Sequence, residues 1–141
     1  MNGDGLSDVI VGASYYDNGQ TDEGRAFVYH GSGTGLATSA GWTAESNQVS
    51  LFGWSVASAG DVNGDSYSDV IVGAPNYNDK GRAFAYHGSP TGLSTVPAWT
   101  ADGDQADAAV GSAEARAGDE CVALVRCPGP GAESSAPRRR P

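Results

Sequence analysis

A chain of 141 residues carrying 21 glycines, 17 acidic against 8 basic residues and a net charge of −9 has length for one modest core, and it excludes nucleic acid as a partner because no basic stripe exists to neutralise phosphates. No apolar run approaches the roughly 18 residues of a membrane-spanning helix, so this chain is not expected to span a membrane, and no basic-then-apolar leader opens it. Cysteine is confined to Cys121 and Cys127, too few for a disulfide framework or a zinc site, which leaves the redox state of the pair and the compartment open on that count.

The acidity is uneven. Residues 1–107 hold thirteen acids against Arg25, Lys80 and Arg82, whereas residues 108–141 hold four acids against five arginines. Strand formers alternate with Gly, Ser, Asn and Asp, which favours short strands joined by tight turns over helices, so the expected fold class is all-β.

In chain order, residues 2–8 form the latter part of a loop with oxygen-bearing side chains at Asn2, Asp4 and Asp8 and the Leu6 carbonyl among them. A full version of that loop would need one more Asp just upstream of Met1. Val9 to Val11 follow as a buried strand, Ser14 to Glu23 as a surface loop, and Arg25 to His30 as a strand with packing groups on both faces, Ala26 and Val28 against Phe27 and Tyr29. Gly31 to Gly35 make a turn, and Trp42 to Asn47 a more exposed strand in which Trp42 covers the edge. Phe52 to Gly60 open the next unit with Trp54, Val56 and Ser58 on one side and small residues opposite.

The stretch Asp61-Val62-Asn63-Gly64-Asp65-Ser66-Tyr67-Ser68-Asp69 places side-chain oxygens at positions one, three, five and nine and a carbonyl, from Tyr67, at seven. A hard cation wrapped by one short loop needs that arrangement, and calcium is its natural guest. Val70 to Val72 continue as a buried strand stopped by Gly73-Ala74-Pro75, followed by a loop over 75–80, a strand over 82–87, a turn over 88–92 and a last strand from Trp99 to Gln105. From Ala106 the aromatics and the pattern are lost. The Pro128 to Pro141 finish, with its run of arginines, reads as disorder, with a helix open around 106–117.

The chain repeats itself. Gly3 to Ala13 matches Gly64 to Ala74 except at Gly5/Ser66 and Leu6/Tyr67, at an offset of 61 residues, and Gly24 to Ser32 matches Gly81 to Ser89 with one change at an offset of 57. Thr34-Gly35-Leu36 returns as Thr91-Gly92-Leu93, and Trp42-Thr43-Ala44 as Trp99-Thr100-Ala101. Persistent strands with variable loops are the signature of a solenoid or propeller array. The units are residues 1–50, residues 51–105 and a non-repeat tail, 106–141.

Phe52-Gly53, Asp61-Val62-Asn63-Gly64-Asp65 and Gly73-Ala74-Pro75 resemble the FG-GAP repeat of integrin α-chain β-propellers and their bacterial relatives, and the resemblance covers residues 2–105. It implies four-stranded antiparallel blades in a ring and calcium in the loop between a blade's first two strands. By position the ligands would be Asp61, Asn63, Asp65, the Tyr67 carbonyl and Asp69, with Asn2, Asp4, the Leu6 carbonyl and Asp8 in the first copy. It also implies an extracellular, secreted or cell-surface place, a role in adhesion, and a protein or carbohydrate ligand. Ser66 departs from the family's usual Gly, at a position where a non-Gly residue with positive φ costs on the order of 1 kcal/mol, and Ser14 replaces the Pro of Gly-Ala-Pro.

An EF-hand shares the early spacing but needs a bidentate Glu at position twelve, which here is Val72. A lone Asp-Asn-Gly-Asp run is as readily a plain turn; two copies, each feeding Asp-Val-Ile-Val, favour the metal. His30 and His87 are packing or turn residues, and the loops at Tyr15, Tyr16, Asn76 and Tyr77 are either a contact surface or ordinary surface. There is no nucleophile elbow and no His beside a nucleophile, so the chain is read as a binding module, not an enzyme. The alternative is a non-catalytic appendage of a secreted hydrolase such as a phospholipase. Fewer than two periods cannot close a propeller of about 4 to 8 blades, so the partners expected at the open faces are missing blades of the same propeller or other copies of the chain.

Overall fold

The computed structural model describes residues 1–106 and 109–111; the Pro/Arg-rich finish, Cys121, Cys127 and most of the helix considered over 106–117 lie outside them. The described part is all-β and antiparallel, a partial β-propeller. β1 (Val9–Ala13), β2 (Arg25–Tyr29) and β5 (Trp42–Glu45) form a three-stranded sheet in the order β1-β2-β5, and a small hairpin, β3 (Gly31–Ser32) with β4 (Gly35–Leu36), caps its end. β6 (Ser55–Gly60), β7 (Asp69–Ala74), β8 (Arg82–Tyr86) and β9 (Trp99–Asp102) form a four-stranded sheet in chain order.

Register decides which side chains share a face. In the second sheet Val70 lies opposite Tyr86 and Val72 opposite Phe84, so one face carries β-branched and aromatic groups that are almost fully buried. In the first sheet Ile10 lies opposite Val28 and Gly12 opposite Ala26. These two faces pack on each other: Ala26, Val28, Trp42 and Phe52 join Val70, Val72, Phe84 and Tyr86 in one core. Edge-to-face aromatic pairs span the seam, Trp42 with Tyr86 at 4.9 Å and Phe52 with Phe84 at 5.1 Å between ring centroids, the separation at which such pairs add to simple burial.

Close backbone approaches, at the seam between the sheets and where Gly111 meets the second sheet, rest on glycines. A Cβ at Gly12 would stand 2.1 Å from the Gly53 carbonyl oxygen, and one at Gly73 would stand 2.0 Å from that of Gly111. Only Gly leaves the backbone room there.

Several expectations change. Val9 to Val11 form a strand but not a buried one, with Val9 39% and Val11 43% exposed, because no sheet covers that face among the described residues. Trp42 is not an exposed edge cover: it is 6% exposed and its indole N–H donates to the Ser94 carbonyl at 2.8 Å, because the second sheet gives it a surface to lie on. The turn over 31–35 is a paired hairpin, and the loop over 75–80 contains a 3₁₀ turn, Tyr77–Asp79. The repeat also extends past Gln105. Val110 bridges Gly81 as Phe52 bridges Gly24, and Ser55 Oγ donates to the Gly111 carbonyl at 2.8 Å. Val110-Gly111 therefore occupies the place of the next Phe-Gly pair, which was illegible because the aromatic is replaced and the flanking residues are Ala-rich.

Candidate metal centre

The second loop, residues 61–69, joins β6 to β7. Asp61 organises it: its carboxylate accepts the backbone N–H groups of Gly64 at 2.8 Å, Asp65 at 3.0 Å and Ser66 at 2.7 Å. These bonds, with the Ser66 amide foremost, hold the Asp61 carboxyl below its ordinary pKa, since bonding to the charged form favours it. Asn63 Oδ1 accepts the Asp65 N–H at 3.4 Å, Asn63 Nδ2 donates to Asp65 at 3.2 Å, and Asp65 accepts the Tyr67 N–H at 3.0 Å. Ser66 does take the left-handed conformation, φ 77°, where the first loop has Gly5 at 84°.

Asp69 plays a different part from the other acids. It is fully buried, and its two oxygens accept the Val62 N–H at 2.8 Å and the Gly88 N–H at 2.8 Å. It ties the start of the loop to Gly88, just past the end of β8. Asp8 repeats this in the first copy, accepting Gly31 N–H at 3.0 Å and, where the second copy has the Val62 amide, the Met1 ammonium at 2.8 Å. Burial pushes the Asp8 carboxyl up, but the ammonium and the Gly31 amide outweigh it and the net shift is downward. Asp4 accepts the Leu6 N–H at 3.0 Å and the Asn2 amide at 3.3 Å.

Among the described residues no three His, Cys, Asp or Glu side chains converge as a ready-made ion site. The hydrogen bonds give the physical reason: the carboxylates are turned onto the loop's own amides, and the expected set includes one Asn and one backbone carbonyl. The donors themselves suit the ion. Asp61, Asn63 and Asp65 are exposed oxygen donors on one short loop, hard ligands of the kind calcium takes.

The flanking residues hold surprises. His87 Nδ1 lies 3.3 Å from Asn63 Nδ2 and His30 Nδ1 lies 3.4 Å from Asp8, so both histidines stand beside the loops. Arg25 pairs with Glu45 at 2.8 Å and lies over the Tyr16 ring at 4.5 Å; Arg82 pairs with Asp102 and lies over Tyr77 at 4.3 Å. Tyr16 and Tyr77 are thus engaged, while Tyr15 is 64% exposed. Glu23, assigned from sequence to a surface loop, is fully buried with both carboxylate oxygens unpartnered; no local pattern signals it, since its counterpart is Lys80.

Repeated blades, each with an acidic loop leading into its core strand, define a propeller-type repeat protein. The FG-GAP repeat model matches residues 1–29 and 52–86. The chain is 37% identical over 110 residues to integrin alpha-6 of Gallus gallus, covering 74% of this chain and 10% of the integrin. It is 38% identical over 105 residues to integrin alpha-7 of Rattus norvegicus (74% and 9%) and 38% identical over 109 residues to integrin alpha-PS2 of Drosophila melanogaster (69% and 8%). The chain belongs to the FG-GAP repeat family and is integrin α-like. It spans about a tenth of the length of these relatives.

Proposed function

We propose that this chain is a calcium-binding, non-catalytic part of an integrin-like propeller that works in adhesion or ligand binding outside the cell. The observation that carries the proposal is the second loop, where exposed Asp61, Asn63 and Asp65 sit together; the Tyr67 carbonyl and Asp69 are the further ligands that an ion would have to recruit. The first loop offers Asn2, Asp4, the Leu6 carbonyl and Asp8 as the corresponding donors. Resemblance to integrin α-chains supports a protein ligand and an extracellular or cell-surface setting.

When bound, calcium would neutralise and cross-link the loop's carboxylates. The chain's own residues do the rest: Asp61 fixes the turn, and Asp69 fastens the loop to the end of β8. Few charged ligands and a non-Gly residue at Ser66 put the affinity at extracellular-module strength, a Kd of roughly 10⁻⁴ to 10⁻³ M. Calorimetric titration of the parent and of Asp61→Ala/Asp65→Ala tests this. The parent should bind in that range and the variant should not; equal binding by both would show that the loop is not the site.

A further inference from the structure

The seam between the two sheets is a template for two faces that have no mate among the described residues. On one side of it Val70, Val72, Tyr86 and Leu93 are buried, at 0%, 0%, 3% and 7% exposure. Their counterparts in the first repeat, Val9, Val11 and Leu36, are 39%, 43% and 50% exposed, and Tyr29 is half-buried. On the other side Trp42 is buried at 6%, while its counterpart Trp99 is 48% exposed. Trp99 lines an open apolar groove of about 520 Å³ with Val62, Ile71, Ala85 and His87.

The two faces are therefore mates by construction. The first repeat's free face carries the same residue types that fill the seam from the second repeat, and the groove at Trp99 is built from counterparts of the residues that receive them. Val28 has become Ala85, which leaves the groove roomier.

We propose that a second copy of this chain docks here, with Val9, Val11, Tyr29 and Leu36 of one copy seated in the Trp99 groove of the next. The contact would repeat the seam: the Trp99 ring over Tyr29 as Trp42 lies over Tyr86, and the Trp99 indole N–H on the Ala37 carbonyl as that of Trp42 is on Ser94. Such an interface is head-to-tail, with different patches on the two partners, so it adds copies in one direction until a ring closes or a filament grows.

Sedimentation velocity of the full chain across a concentration series, with and without calcium, tests the idea together with Val11→Glu, Leu36→Glu and Trp99→Glu. All three positions are half-exposed, and matching far-ultraviolet dichroism confirms that each variant folds. The parent should sediment faster as concentration rises, and each variant alone should stay monomeric. A mixture of Val11→Glu with Trp99→Glu leaves one intact pair of faces and should give a dimer and nothing larger, as should Leu36→Glu with Trp99→Glu. A monomeric parent would overturn the proposal and leave the faces to further repeats of a longer chain. Undiminished association of the variants, or no dimer in either mixture, would overturn it as well.

Discussion

At Ser66 a β-carbon occupies backbone space that the first copy gives to Gly5, with φ of 77° and 84° respectively. The conformation is costly for a non-Gly residue, so Ser66→Gly should stabilise the fold by about 0.5–1 kcal/mol in denaturant unfolding; a loss of stability would mean that the serine side chain is needed. Asp69 tests a different kind of demand. Both of its oxygens receive backbone N–H groups in a buried place, and an amide can supply only one acceptor atom. Asp69→Asn should therefore cost about 1–3 kcal/mol even without calcium, and an unchanged midpoint in a chelator would refute the tie to β8. The acidic loop itself was legible because its Asp/Asn/Gly pattern is local in sequence. The tie between Asp69 and Gly88 was not, since nothing local in either segment states that the end of β8 returns to the loop, and neither was the burial of Glu23.

At the scale of strands and sheets, the repeat made most elements legible: Val9 to Val11 and Val70 to Val72 are β-branched runs bounded by turns, and both form strands. What pattern alone missed was contact between units. Trp42 looks like an edge residue until a second sheet covers it, and Val110 carries no aromatic signal although it bridges Gly81. The seam itself yields a sharp contrast. Gly12→Ala drives a Cβ against the Gly53 carbonyl, whereas a Cβ at Gly33 meets nothing within 4 Å. Thermal or denaturant unfolding should show a loss of about 1–3 kcal/mol for Gly12→Ala and a change under about 0.5 kcal/mol for Gly33→Ala. Similar losses for both would mean that the sheets are not held at that distance.

Over the whole molecule, the buried seam makes stability respond to alkaline pH. Burial raises the Tyr86 phenol from 10.0 to about 12. The unfolded chain loses this proton first, so the contribution is complete below about pH 10 and is lost as pH climbs toward 12, in total about 2–3 kcal/mol. Denaturant midpoints measured across that window should fall for the parent and fall less for Tyr86→Phe; parallel curves would mean that Tyr86 is hydrated. The FG-GAP match falls on residues 1–29 and 52–86, the segments in which loop and strand signals coincide.

The most direct test of the account is a calcium titration followed amide by amide in nuclear magnetic resonance spectra of the full chain. Shifts should concentrate in residues 61–69, led by the Gly64, Asp65 and Ser66 amides that donate to Asp61, and saturate with a Kd of roughly 10⁻⁴ to 10⁻³ M, with smaller changes in residues 2–8. An unmoved second loop, or saturating shifts confined to other segments, would contradict it.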